Sequence, residues 1–182
     1  MALEFSTSHL SDSLSLFRYY KGLGERALAQ VADDQLFYAQ DEESNSIAII
    51  VKHLAGNMRS RWTDFLTTDG EKPDRNRDSE FEDPAKDRKE LMRIWDEGWA
   101  CLLKTLESLK DSDMNRRVLI RGEAHSVMQA INRQLCHYAY HVGQIVMVAK
   151  QRRNGEWYSL SVPRGKSAEF NRRVLSRERS QR

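Results

Sequence analysis

The chain has 182 residues, 29 Lys and Arg against 27 Asp and Glu, 40% apolar residues, two Cys and three Pro. This length suits one domain, because folding can bury roughly 70% of the surface that an unfolded chain of this size exposes, and two cysteines outside a C-x-x-C pattern exclude a disulfide framework. Unbroken apolar stretches such as 47–51 and 145–149 fall far short of the ~20 residues a helix needs to cross a bilayer, so no membrane partner is expected.

The start, Met1-Ala2-Leu3-Glu4-Phe5, lacks a basic segment followed by a long apolar one and does not read as a signal peptide; with the low cysteine count this points to the cytoplasm. The charge is unevenly placed. Residues 150–182 hold ten Lys and Arg and three Asp and Glu, a net +7 against −5 for the rest. The reading is a bundle domain over 1–155 followed by a basic tail over 156–182. No aromatic residue is interleaved in 172–182 to stack on bases, so nucleic acid is not expected as a partner.

The prolines stand at 73, 84 and 163, which leaves two long stretches free of the strongest helix breaker. A first helix is expected from near the start to about Gln30, on Leu3, Leu10, Leu14, Phe17 and Leu28, with Gly22 and Gly24 weakening its far end. The second starts after Ser46 as N-cap and carries Ile47, Ile50, Val51, Leu54, Met58, Trp62 and Phe65, the clearest amphipathic period in the chain. Residues 67–83, TTDGEKPDRNRDSEFED, read as a long charged loop. A third helix is expected from Asp83 as N-cap and Pro84 as first residue to about Lys110, through Leu91, Trp95, Trp99, Leu102 and Leu106. The segment Arg116 to Gly122 is β-branched and ends at glycine, as a short strand or an extended connector would. A fourth helix follows over about His125 to Arg152, with Val127, Ile131, Leu135, Tyr138, Val142 and Ile145 on its stripe. Four such segments imply an all-α antiparallel four-helix bundle, a fold that builds ligand and metal sites from side chains on facing helices.

Of the five histidines, His137 and His141 stand four apart in H-Y-A-Y-H, which puts two imidazoles on one helical face, about 5–6 Å apart at their β-carbons. The adjacent glutamate of an H-E-x-x-H zinc protease is absent. A third ligand has to come from another helix, and His53 on the second is best placed. On an ideal wheel His141, His137 and His53 lie about 70°, 110° and 130° from the centres of their apolar stripes, the position of ligands at the rim of an open cleft. His9 and His125 read as structural or exposed, and Cys136 as a buried, inert thiol. No E-x-x-H occurs on a helix, which excludes the di-iron carboxylate bundles. The stretch Pro163 to Ser167 lacks the spacing of a phosphate-binding P-loop.

The motifs His53-Leu54-Ala55-Gly56-Asn57 and His137-Tyr138-Ala139-Tyr140-His141-Val142-Gly143-Gln144-Ile145 resemble those of the DinB/YfiT-like metalloenzyme family, over about residues 5–152. The resemblance implies a four-helix bundle with one divalent metal held by His53, His137 and His141, frequently as a homodimer. Characterised relatives include S-transferase-like enzymes and isomerases that use low-molecular-weight thiols. Three neutral imidazoles leave a cation its full charge and open positions, so the expected function is a metal-dependent thiol S-transferase or hydrolase acting on a small electrophile. The alternative is a non-catalytic dimeric helical bundle serving interaction or stress functions. Histidine ligands suit Zn²⁺ or Ni²⁺ and also accept Fe²⁺ or Mn²⁺. Asn57, one turn beyond His53, is the candidate for contact with substrate or with a ligand's second nitrogen. Gly56 and Gly143 read as sites of close helix packing or of substrate approach.

Overall fold

The computed structural model describes residues 8–82, 85–153 and 155–178. Among them run α1 (His9–Leu28), α2 (Ile47–Trp62), α3 (Arg88–Ser108), β1 (Arg117–Ile120), β2 (Glu123–Ser126), α4 (Val127–Arg152) and α5 (Ser167–Leu175), with short 3-10 turns at Asp34–Leu36, Asp78–Phe81 and Asp111–Asp113. The protein is therefore mostly helical, with one small two-stranded sheet. No helix among the described residues is long and apolar enough to cross a membrane.

Each long helix starts on a side chain that accepts an otherwise orphaned backbone N–H. Ser8 accepts from Ser11, Ser46 from Ile49, Asp87 from Glu90 and Ser126 from Gln129. At α4 the Gln129 side chain also accepts from the Ser126 amide, closing a reciprocal capping box. Ser46 caps the second helix as the sequence suggests, but α2 stops at Trp62 and not at Phe65. The part of the expected first helix before Ser8 lies outside the described residues. The third helix begins at Arg88 under Asp87; the expected cap Asp83 and first residue Pro84 lie outside the described residues.

The segment after α3 is a strand, and it has a partner that the sequence reading assigned to the fourth helix. β1 pairs antiparallel with β2 from Arg117↔Ser126 to Ile120↔Glu123. Arg121 and Gly122 both have positive φ, 56° and 76°, as a two-residue hairpin turn of this hand requires. His125 therefore lies in a strand, and α4 starts two residues later.

The four long helices share one core. Phe17, Trp62, Trp95, Trp99 and Tyr138 are all at most 1% exposed. α1 and α3 run in opposite directions, with Ser8 bonded to Asp111 at one end and Lys21 to Asp96 further along. α2 and α3 do not follow the expected antiparallel rule. Gly98 packs on Ala55, the Cys101 thiol lies 4.0 Å from the Met58 carbonyl, and Thr105 donates to the Trp62 carbonyl at 2.9 Å. Residue numbers rise together, so the two helices are parallel, and the connector between them, residues 63–87, has to return along their length. Beyond α4, Trp157 and Leu160 pack against the core, while the Gln30 side chain bonds both the amide and the carbonyl of Tyr158.

Candidate metal centre

α2 and α4 bring His53, His137 and His141 together. One ring nitrogen of each lies within 4.8 Å of the others, an arrangement that could hold a metal ion. His137 Nε2 and His141 Nε2 face one another at 3.1 Å. The His53 ring centroid lies 5.5 Å from that of His137 and 5.0 Å from that of His141. Two nitrogens each ~2.1 Å from one zinc ion can be at most ~4.2 Å apart, so the pair on α4 already fits a common cation, and His53, within 4.8 Å of both, lies at or close to the same reach.

Two of the three donors, His137 and His141, are held in the neutral state that metal ligands need. Burial, reinforced by the neighbouring His141, His53, Arg61 and Arg75, pushes His137 down from 6.5 to about 3. Burial also lowers His141, against an opposing hydrogen bond to Gln144. His141 Nδ1 bonds Gln144 Oε1 at 2.7 Å, which assigns the proton to Nδ1 and leaves Nε2 with its lone pair toward His137. His137 Nδ1 is buried and has no hydrogen-bond partner among the described residues.

His53 is not at a rim. It is 5% exposed, and its Nδ1 meets Glu80 Oε2 at 2.8 Å. Arg75 grips that carboxylate with two parallel bonds, Nε to Oε1 at 2.8 Å and Nη2 to Oε2 at 2.9 Å, the strong bidentate geometry of a guanidinium on a carboxylate. Burial opposes ionisation of Glu80, yet the bonds from His53 and Arg75 outweigh it and hold the carboxyl below its usual range. Phe81 lies against the His53 ring at 5.0 Å between centroids. On either side of Glu80, Lys52 Nζ donates to the carbonyls of Ser79 and Glu82, both at 2.6 Å. Glu71 bonds Arg75 and also Arg61 and Arg121, and Asp69 accepts from the backbone amides of Glu71, Arg121 and Gly122. The connector is thus fastened to the hairpin at one end and to His53 at the other.

Glu80 and Arg75 are the residues that sequence reasoning missed. Their one sequence signal is Gly56, one turn from His53: a Cβ there would come within 2.3 Å of Glu80 Oε1, so the glycine admits the carboxylate, neither a packed helix nor a substrate. Among the described residues nothing lies within 4 Å of a Cβ position at Gly143, which two residues on from His141 faces the outer side of α4 and neither packs a helix nor adjoins the cluster. Asn57 is buried, and its Oδ1 accepts from the Tyr138 hydroxyl at 2.9 Å, which in turn accepts from Trp62 Nε1 at 3.0 Å. The second nitrogen of His53 is held by Glu80 in its place. Cys136 is exposed and not buried, because it lies off the packed stripe of α4. His9 lies near Ser13 at the start of α1, and His125 lies in β2; neither joins the cluster.

A family model described as a protein of unknown function (DUF1572) matches residues 4–166. No curated protein and no solved structure matches the chain.

Proposed function

We propose, for a chain that belongs to the DUF1572 family of unknown function, a metal-dependent enzyme in which His53, His137 and His141 hold one divalent cation. The observation that carries this reading is the approach of three ring nitrogens from two helices to within 4.8 Å. The four long helices around one core, with the histidine motifs on the second and fourth, support a four-helix bundle of the DinB/YfiT-like kind. When bound, the cation would supply a Lewis acid that lowers the pKa of a thiol or water and polarises an electrophile, with Zn²⁺ and Ni²⁺ the best match to imidazole donors.

The protein's own residues supply the rest. Burial keeps His137 and His141 neutral, so both are available as ligands at physiological pH. Neutral imidazole ligands carry no charge to offset the cation, and among the described residues no fourth protein ligand joins them in the cluster. His137 and His141 are only half-buried, which leaves a small electrophile and a low-molecular-weight thiol a way in. A thiol S-transferase or a hydrolase is the reaction class this arrangement serves, and a homodimer the assembly we propose.

Metal analysis of the purified protein beside the His53→Ala, His137→Ala, His141→Ala triple variant tests the site. Stoichiometric zinc or nickel in the wild type and none in the variant is the expected result; equal traces in both overturn it. A turnover screen of the loaded protein with glutathione, bacillithiol or mycothiol and model electrophiles then tests the reaction. Metal without turnover, with or without thiol, leaves the non-catalytic reading standing.

A further inference from the structure

We infer that Glu80 is a positioning residue of this centre: clamped by Arg75, its carboxylate fixes His53 in the tautomer that turns Nε2 toward His137 and His141, and so sets the affinity for a divalent cation. The inference rests on the metal-site reading above and deepens it, by extending the site from three side chains on two helices to a connector 27 residues away along the chain.

The geometry constrains the tautomer. A carboxylate paired with a guanidinium offers acceptors only, so the 2.8 Å contact between Glu80 Oε2 and His53 Nδ1 places a proton on Nδ1, which in the neutral ring a metal requires leaves the lone pair on Nε2. A histidine ligand with its other nitrogen donating to a carboxylate is the arrangement that fixes ring orientation and raises donor strength. Of the three histidines, only His53 has a charged partner among the described residues: His141 has the neutral Gln144, and His137 Nδ1 has none.

Three further features hold the carboxylate in place. Arg75, 5% exposed at its side chain, meets both oxygens. Lys52 ties down the backbone on both sides of Glu80. Gly56 vacates the space the carboxylate fills, since a Cβ would stand 2.3 Å from Oε1 and 2.7 Å from Cδ. Phe81, next in the chain, covers the His53 ring and limits its rotation.

The test is a competition titration of the metal-free full chain with Zn²⁺ against a chromophoric chelator, for wild type, Glu80→Gln, Gly56→Ala and Glu71→Gln, joined to ¹⁵N NMR of the imidazoles in the absence of metal. Glu80→Gln keeps the shape and removes the charge; zinc affinity is expected to fall roughly 10- to 100-fold. Gly56→Ala keeps the charge and displaces the carboxylate, and reaches the same loss from the other side of the contact. Glu71→Gln, which touches Arg75 but not His53, changes affinity far less. In the metal-free wild type His53 is expected as the Nδ1–H tautomer, and as a mixture in Glu80→Gln. A wild-type protein that takes up no zinc refutes the site itself. A protein that binds zinc through His53, yet with the same affinity after Glu80→Gln or with the proton of His53 on Nε2, refutes the positioning role alone.

Discussion

Gly98→Ala should destabilise the protein although it puts the best helix former into a helix. In an exposed position the change would gain up to about 1 kcal/mol, because alanine loses less backbone entropy than glycine. Here the new Cβ would lie 2.8 Å from the Ala55 Cα, 3.0 Å from its Cβ and 3.3 Å from Met58 Sδ. The first of these is backbone, which has no rotamer to escape into, so α2 and α3 have to move apart along the line that carries Thr105 to the Trp62 carbonyl. Overpacking a close-packed core costs about 1–3 kcal/mol, and the backbone contact puts this case at the upper end. The net loss is then about 1–2 kcal/mol, a fall of about 2–8 °C in Tm for a chain of this size. Gly143→Ala is the matched control: nothing lies within 4 Å of its Cβ position, so only the propensity gain remains and Tm should rise. Thermal and urea unfolding of the two variants beside wild type decide it. If Gly98→Ala melts at or above wild type, the helices are not in the close contact described, and the parallel pairing that carries His53 on α2 loses its support.

Acid sensitivity follows from His137, held near 3 in the fold against an ordinary 6.5 by burial. As pH falls below 6.5 the unfolded chain takes up a proton that the folded chain refuses until about 3, so stability is complete above 6.5 and declines through that window. Urea midpoints of metal-free protein between about pH 7 and 5, above the range where the lowered carboxylates titrate, should drop, and His137→Asn should flatten the slope; an identical slope in the variant contradicts the assignment. Tyr138→Phe leaves Trp62 Nε1 and Asn57 Oδ1 without the hydroxyl that joins them and should cost about 1–3 kcal/mol in a denaturant melt. Asp87→Ala removes the cap on the Glu90 amide; a loss of about 1 kcal/mol in the same melt is expected, and no loss would mean that the third helix starts elsewhere.

What could be read from sequence was whatever is local and periodic. Ser46 and the apolar stripe after it locate α2, and His137 and His141 share a face for the same reason that Tyr138, Val142 and Ile145 share another. The wheel misplaced His53, however. It put the residue about 130° from the stripe, at the rim of an open cleft, on the assumption that a helix has one buried face. α2 buries His53, Ser60 and Arg61 as well as its apolar residues, because the connector, through Glu80 and Gly70, covers the side that the other helices leave free. β2 was missed because Glu123-Ala124-His125-Ser126 lacks the alternation of a half-buried strand; a hairpin turn and Asp69 hold it, not a hydrophobic face. Glu80 stands in a charged run with no period at all, and its partner is 27 residues earlier. Only the glycine at 56 records its presence.

The direction of the helices explains why that loop reaches the site. Two consecutive helices that run antiparallel need only a short turn at one end. α2 and α3 run parallel, with Ala55 level with Gly98, so Arg88 at the start of α3 lies level with the residues just before α2. From Trp62 the chain has to climb back about 17 residues of helix, at 1.5 Å per residue roughly 26 Å, along the outside of α2 before the next helix can begin. His53 lies about halfway along that path. A connector over this helix therefore passes the histidine whatever its sequence, and the choice open to the sequence is what it presents there. It presents a carboxylate already paired with Arg75, anchored by Lys52 and accommodated by Gly56. A solvated charged loop would leave Arg75 and Glu80 exposed; here their side chains are 5% and 7% exposed. Removing the charge from either one alone leaves the other buried with only its second partner, Glu71 for Arg75 or His53 for Glu80, an imbalance more damaging than loss of a surface pair. Arg75→Gln should accordingly destabilise the fold more than the exposed Arg93→Gln, whose partner Glu97 remains in solvent.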